Sequence, residues 1–243
     1  MILSNKHNFL YIGIYKTATT SIHDALLKLL KPIPRKGTAT YLKPKQLHPD
    51  RDPDAIILHQ TMDERHMDVK KAKEIYFDRT DPADMEKWDN LYIWSYVRNP
   101  WDLLYSHFKF YKRRTEHVEK GIGDDPEAIE KMPKVLKQYS GIEFRDWVKQ
   151  YLDDFNLERN HIDQYSYLCD DDNNLMVDEI YPFENISKNF IQITQKIGLS
   201  KVQLPMKNAI NPLARYQKFY DEESKNLVAK RFERDIDFFK YSF

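Results

Sequence analysis

Cysteine is all but absent from this sequence. Cys169 is the one cysteine in 243 residues, which excludes an internal disulfide and is compatible with a reducing compartment. Net charge is missing too: 38 Lys and Arg balance 38 Asp and Glu, so no overall field favours nucleic acid or an anionic membrane surface. No apolar run approaches the length of a membrane span. Met1 leads almost directly into an apolar strand, so the chain is expected to have no signal peptide and to be cytosolic. Internal repeats and low-complexity tracts are lacking as well. What remains, 243 residues with 41% hydrophobic content, suits one α/β domain over residues 1–243 with a sizeable core.

The chemistry concentrates where an apolar strand runs into a helix. Phe9, Leu10, Tyr11, Ile12 and Ile14 form a nearly continuous hydrophobic run. Ile22, Leu26, Leu29 and Leu30 then recur at helical spacing until Pro32. Between them stand Lys16, Thr17, Ala18, Thr19, Thr20 and Ser21, one cation and a set of small residues at a helix start. Exposed backbone N–H groups, the positive end of the helix dipole and small side chains together make a phosphate cradle. An ordinary capped helix would use the same Thr and Ser residues, so a second anion site is what separates the two readings.

Leu91 to Val97 supplies the candidate for that second site, because it reads as a central strand that ends in Arg98, Asn99 and Pro100. Pro100 suits the first helical position and Asn99 the cap of a helix running to about Arg114. Arg98 offers a planar fork of donors for phosphate oxygens, and Ser106, two turns into the helix, adds a neutral hydroxyl. Taken alone, Arg98 could equally serve a structural salt bridge. The nucleotide-triphosphate loop G-x-x-x-x-G-K-[ST] fits poorly, since Tyr15 occupies the place before Lys16 and Gly13 is the only glycine nearby. That loop also needs an Asp at a second strand end to hold magnesium, where this chain has Arg98.

Two anion sites on neighbouring strand ends resemble the donor site of sulfotransferases that use 3′-phosphoadenosine 5′-phosphosulfate (PAPS). The 5′-phosphosulfate loop of that family is similar to Tyr15–Ser21, and its 3′-phosphate segment to Tyr96–Phe108. Val177–Ile186, Leu204–Asn208, Tyr216–Tyr220 and Asp235–Phe243 resemble later parts of the same family. The sequence departs from it in having Tyr15 where many relatives have Pro, Thr19 where they have Gly, and Pro182 where they have a basic residue. A threonine takes a left-handed backbone less readily than glycine, so Thr19 is expected to tighten the loop.

The resemblance implies a mainly parallel, P-loop-like central sheet with helices on both faces. It also implies in-line sulfuryl transfer from PAPS to a hydroxyl of a carbohydrate, alcohol or phenol, leaving the 3′,5′-bisphosphate PAP and using no metal. Lys16 would stabilise the leaving bridge oxygen. His59, which follows the apolar strand Ala55–Leu58, would act as base, with His48 as runner-up. His66, His107, His117 and His161 are read as structural. The alternatives are a P-loop kinase or NTPase, and a nucleotide-binding protein without catalysis.

Asp170, Asp171 and Asp172 before Asn173 and Asn174 read as a turn rather than a cation loop. The Asn185-Ile186-Ser187 sequon reads as a helix cap. Lys109 to Arg114 is a basic run that reads first as the solvated end of a helix and second as a greeting patch for an anionic acceptor. Residues 115–142 are expected to form an acceptor lid, and Lys207 and Arg215 lie in a stretch expected to close over the donor.

Overall fold

The computed structural model describes residues 1–30, 56–58, 66–120, 139–153, 163–200, 202, 204 and 216–243. They belong to two compact units, Met1–Arg98 with His161–Asn208, and Asn99–Asn160 with Ala209–Phe243. The strands are β1 (Ile2–Ser4), β2 (Phe9–Ile12), β3 (Ile56–Leu58), β4 (Tyr92–Val97) and β5 (Glu179–Pro182). The helices among the described residues are α1 (Thr19–Leu30), α2 (Val69–Tyr76), α3 (Pro82–Asp89), α4 (Pro100–Glu119), α5 (Phe144–Asp153), α6 (Ile186–Lys196), α7 (Glu222–Arg231) and α8 (Glu233–Phe239).

In the first unit one sheet has the order β3-β1-β2-β4-β5. β2, β4 and β5 pair in parallel, while β1 pairs antiparallel with both β2 and β3. Only β1 therefore runs against the rest, and the α/β fold class expected from the sequence holds. Asn8, left-handed at φ 45, lets the chain reverse between β1 and β2, a conformation that Asn tolerates better than most residues.

Side chains alternate between the two faces of a strand. Ile2, Phe9, Tyr11, Trp94 and Tyr96 pack with Ile22, Ala25 and Leu26 of α1 and with Ile186, Phe190 and Ile193 of α6. The spacing of the α1 and α6 contacts is one turn of helix, so each helix gives one apolar stripe to the sheet. Leu3, Leu10, Ile12, Ile93 and Val97 point the other way and are buried as well. A sheet apolar on both faces is the reason β2 and β4 read as continuous hydrophobic runs. Each large side chain buried this way contributes roughly 1.5–3 kcal/mol.

At the β5 edge Glu179 accepts from Tyr92 Oη at 2.8 Å and from Lys196 Nζ at 2.5 Å, tying α6 to the sheet. Tyr181 also donates to Glu179, and the Lys196 ammonium lies 4.0 Å from the centre of the Tyr92 ring. Burial pushes the Glu179 carboxyl up, but the Lys196 and Tyr92 hydrogen bonds outweigh it and hold it below the usual range. The expected turn at 170–174 is present: the Asp170 carboxylate accepts the N–H groups of Asp172 and Asn174, and Asn173 is left-handed.

The second unit is held by aromatic packing. Trp147 of α5, 1% exposed, lies 4.3 Å from the Tyr151 ring, 5.3 Å from Phe108 and 5.4 Å from Tyr139. Asn99 caps α4 as expected, its Oδ1 accepting the Trp101 N–H at 3.1 Å, and Pro100 opens the helix. Trp101 donates to Lys225 O at 3.0 Å, and Asn99 Nδ2 donates to Ser242 O at 2.7 Å. These bonds fasten α7 and the chain end to the start of α4. Asp221 caps α7 in a capping box with Ser224, whose hydrogen bonds push its carboxyl down to about 2. Among the described residues, no helix is long and apolar enough to cross a membrane.

Candidate active site

β2 delivers its last residue, Ile12, into a turn that reaches α1 at Thr19. Within that turn Lys16 and Ala18 are both left-handed, each with φ 62. Non-glycine residues pay roughly 1–2 kcal/mol each for that conformation, so the surrounding structure has to hold them there. Thr19, at the position where many relatives have Gly, is helical. It opens α1 and has no positive φ, so the strain sits one and three residues earlier.

What holds the loop is a set of donors aimed at its carbonyls. Ile14 O accepts from Thr17 Oγ1 at 2.8 Å and from Thr19 Oγ1 at 2.9 Å. Lys16 O accepts from Arg98 Nη1 at 2.8 Å, and Gly13 O accepts from His66 Nδ1 at 2.8 Å. Ala18 O accepts from Ile22 N at 3.1 Å, the first hydrogen bond of the helix. With the carbonyl oxygens engaged, the amides that follow point the opposite way. Left-handed residues alternating with ordinary ones generate an N–H-lined concavity of the kind that binds anions. The first turn of α1 adds amide groups without intrahelical acceptors, and it contains no acidic residue to oppose an anion.

The hydroxyls of Thr17 and Thr19 therefore act on the loop itself, and their backbone N–H groups are what they can offer a ligand. Thr20 is exposed and Ser21 is buried. Beneath the turn the Tyr11 ring is fully buried, and burial pushes its phenol far above the ordinary range.

Arg98 stands at the end of β4, next to β2 in the sheet. Its main chain is gripped by Gln164, which accepts the Arg98 N–H at 2.7 Å and donates to Arg98 O at 2.8 Å. The β4–β5 pairing ends at Val97 opposite Pro182, and proline has no N–H to continue a ladder. The buried amide of Gln164 makes the two bonds that a further strand residue would have made. The guanidinium carbon lies 4.2 Å from the centre of the Phe183 ring, and Arg98 as a whole is 9% exposed. No signal in the sequence pointed to Gln164.

His66, which lies at no strand end, is read from the sequence as structural. Its ring stacks on Tyr15, with centroids 3.9 Å apart, while Nδ1 meets Gly13 O. A carbonyl can only accept, so Nδ1 carries the proton and in the neutral ring Nε2 is the basic nitrogen. Asp68, two residues on, caps α2 through the Lys71 N–H at 2.7 Å.

The structure thus brings Lys16, Thr17, Ala18, Thr19, Arg98 and His66 together in the first unit. Ser106 belongs to the second unit, where it is buried on α4. His59, His48, His161, Lys207 and Arg215 lie outside the described residues, as do 121–138 of the expected lid.

A family model described as "Sulfotransferase family" matches residues 1–242. The chain belongs to the sulfotransferase family. Among solved structures, this sulfotransferase is similar to a sulfotransferase from Alicyclobacillus acidocaldarius at 16% identity, covering 96% of this chain and 98% of that one with a TM-score of 0.29. That likeness carries no argument about the site. No curated protein matches the chain. Membership in the family sets the reaction of this sulfotransferase as sulfuryl transfer to an acceptor.

Proposed function

We propose that the donor is PAPS and that residues 1–243 act as one catalytic domain on a hydroxyl acceptor, a carbohydrate or a small alcohol or phenol. The observation that carries this reading is the turn from β2 to α1, where left-handed Lys16 and Ala18 and four engaged carbonyls make an amide-lined cradle without glycine at either position. The 5′-phosphosulfate is assigned to the amides of residues 16–21. The 3′-phosphate is assigned to Arg98 on the neighbouring strand end, and to Ser106 on the sequence pattern alone. The end of β4 presents an arginine where a kinase or NTPase needs an acidic metal ligand, which favours sulfuryl over phosphoryl transfer. A cytosolic location is proposed from the single cysteine.

In the proposed reaction the acceptor oxygen forms a bond to sulfur as the bond from sulfur to the bridging oxygen breaks, and PAP departs. The acceptor proton passes to an imidazole, and the Lys16 ammonium meets the charge growing on the bridging oxygen. The base is assigned to His59 from the family resemblance. His66 is the second candidate, because its contact with Gly13 leaves Nε2 as the basic nitrogen beside the same loop.

Calorimetry with PAP and with magnesium-ATP tests the donor, and PAP release across a panel of sugars, phenols and alcohols tests the reaction. PAP should bind without metal and ATP should not displace it. Displacement of PAP by ATP would overturn the donor assignment, and tight PAP binding with no transfer to any acceptor would favour a binding-only role.

A further inference from the structure

We propose that Arg98 sets the shape of the phosphosulfate loop through the Lys16 carbonyl, a positioning role separate from any contact it makes with a 3′-phosphate; the inference rests on the PAPS reading above. Arg98 Nη1 donates to Lys16 O at 2.8 Å. The described residues contain no cis peptide bond, and in a trans peptide the N–H of one residue points opposite to the carbonyl of the residue before it. Arg98 therefore fixes the direction of the Thr17 N–H, a central amide of the cradle. It does so at one of the loop's two left-handed residues, and Lys16 needs a partner to hold it in that conformation.

Arg98 is built to do this rigidly. Gln164 holds its main-chain N–H and C=O, at 2.7 and 2.8 Å, and the Phe183 ring lies 4.2 Å from its guanidinium carbon. A guanidinium carries five N–H donors in one plane, enough to serve a carbonyl on one edge and phosphate oxygens on another. One side chain then joins the two halves of the donor site: a 3′-phosphate bound to Arg98 would steady the same group that aims the 5′ loop. A lysine at position 98 could supply the carbonyl bond but not the fork.

Adenosine 5′-phosphosulfate, which lacks the 3′-phosphate, separates the two roles. In calorimetry Arg98→Ala should weaken PAP by ~100-fold, the loss expected of a charge-assisted phosphate contact. It should also weaken adenosine 5′-phosphosulfate by ~5-fold, as expected for one lost hydrogen bond. Arg98→Lys should restore the second ligand and leave PAP weak. In the ligand-free proteins, hydrogen exchange at the Lys16–Thr19 amides should be faster in Arg98→Ala and near wild type in Arg98→Lys. Either measurement unchanged in Arg98→Ala overturns the positioning role. Should that variant fail to fold, Arg98→Met, which keeps an apolar stem beside Phe183 but cannot donate to Lys16 O, takes its place, and unchanged adenosine 5′-phosphosulfate binding there overturns the positioning role. Failure of the wild type to bind PAP would instead sink the donor reading, and the exchange comparison would still report on the loop.

Discussion

Around the turn from β2 to α1, polar atoms are tied down one by one, with four carbonyls of residues 13–18 each met by a named donor. In the second unit the equivalent task of fixing α4 and α5 falls to rings, with Trp147 at the centre of Tyr139, Tyr151 and Phe108. The difference is one of purpose. Hydrogen bonds are directional and set where an N–H points, at a net gain of only about 1 kcal/mol each. Aromatic burial constrains direction less tightly than a hydrogen bond does and contributes roughly 1.5–3 kcal/mol per side chain. The first arrangement suits a site and the second suits a scaffold, so variants in the two regions should lose different things.

The largest expected effect is at the proton acceptor. His59→Ala or His66→Ala, whichever is the base, should lower the transfer rate by roughly 10²–10⁴-fold with PAP affinity near wild type. Single-turnover assays on both variants identify it. Loss of PAP binding along with rate in both would mean that neither imidazole is the base.

Trp147→Ala should break the scaffold instead. Truncating a buried Trp costs about 3–5 kcal/mol, which for a chain of this size lowers the melting temperature by roughly 10 °C or more. Thermal unfolding measures it, and an unchanged melting temperature would erase the contrast between the two regions.

Lys16→Ala should cut transfer by roughly 10²–10³-fold, the loss typical of one group stabilising a developing oxyanion. Its melting temperature should stay close to wild type, since Lys16 uses its backbone carbonyl rather than its side chain in the Arg98 bond. A large drop in stability would show that the loop is scaffold after all.

The smallest effect sharpens the account of the second unit. Asp221→Ala removes the cap of α7 and should cost about 1 kcal/mol at neutral pH. The Ser224 hydrogen bonds push the Asp221 carboxyl down to about 2, below its unfolded value of about 3.9. A depressed folded pKa contributes stability that is present above the unfolded pKa and is lost as pH falls toward the folded one. The difference between wild type and variant should therefore shrink from about pH 4 to about pH 2 in urea titrations. A difference that stays constant across that window would mean the carboxylate charge plays no part in the cap.

Much of the fold was legible because the sheet is apolar on both faces. β2 and β4 announced themselves as hydrophobic runs, and Pro100 with Asn99 marked the start of α4. β1, only three residues long, is too short to show a period. α2 and α3, eight residues each, were missed although Asp68 and Asp81 stand at their caps. Short helices offer barely two turns of pattern.

For the candidate site, residue types and spacing were enough to pick out Lys16, the small residues after it, and Arg98. They could not assign the hydrogen bonds. Thr17 and Thr19 looked like ligands, yet their hydroxyls turn back to Ile14 O. Nor could residue types and spacing show that the His66 ring stacks on Tyr15 and donates to Gly13 O. Thr19 stands where many relatives have Gly, yet the left-handed residues are Lys16 and Ala18.

Local sequence thus determined the parts that depend on neighbours in the chain: apolar strands, capped helices, and a cation placed where a strand meets a helix. Tertiary structure alone decided that Arg98 would reach the Lys16 carbonyl, that Gln164 would replace a missing strand partner, and that His66 would meet Gly13. The physical reason is range. Burial pattern and capping act over a few residues, whereas a hydrogen bond between residues 82, 66 or 53 positions apart exists only after the sheet has brought them together.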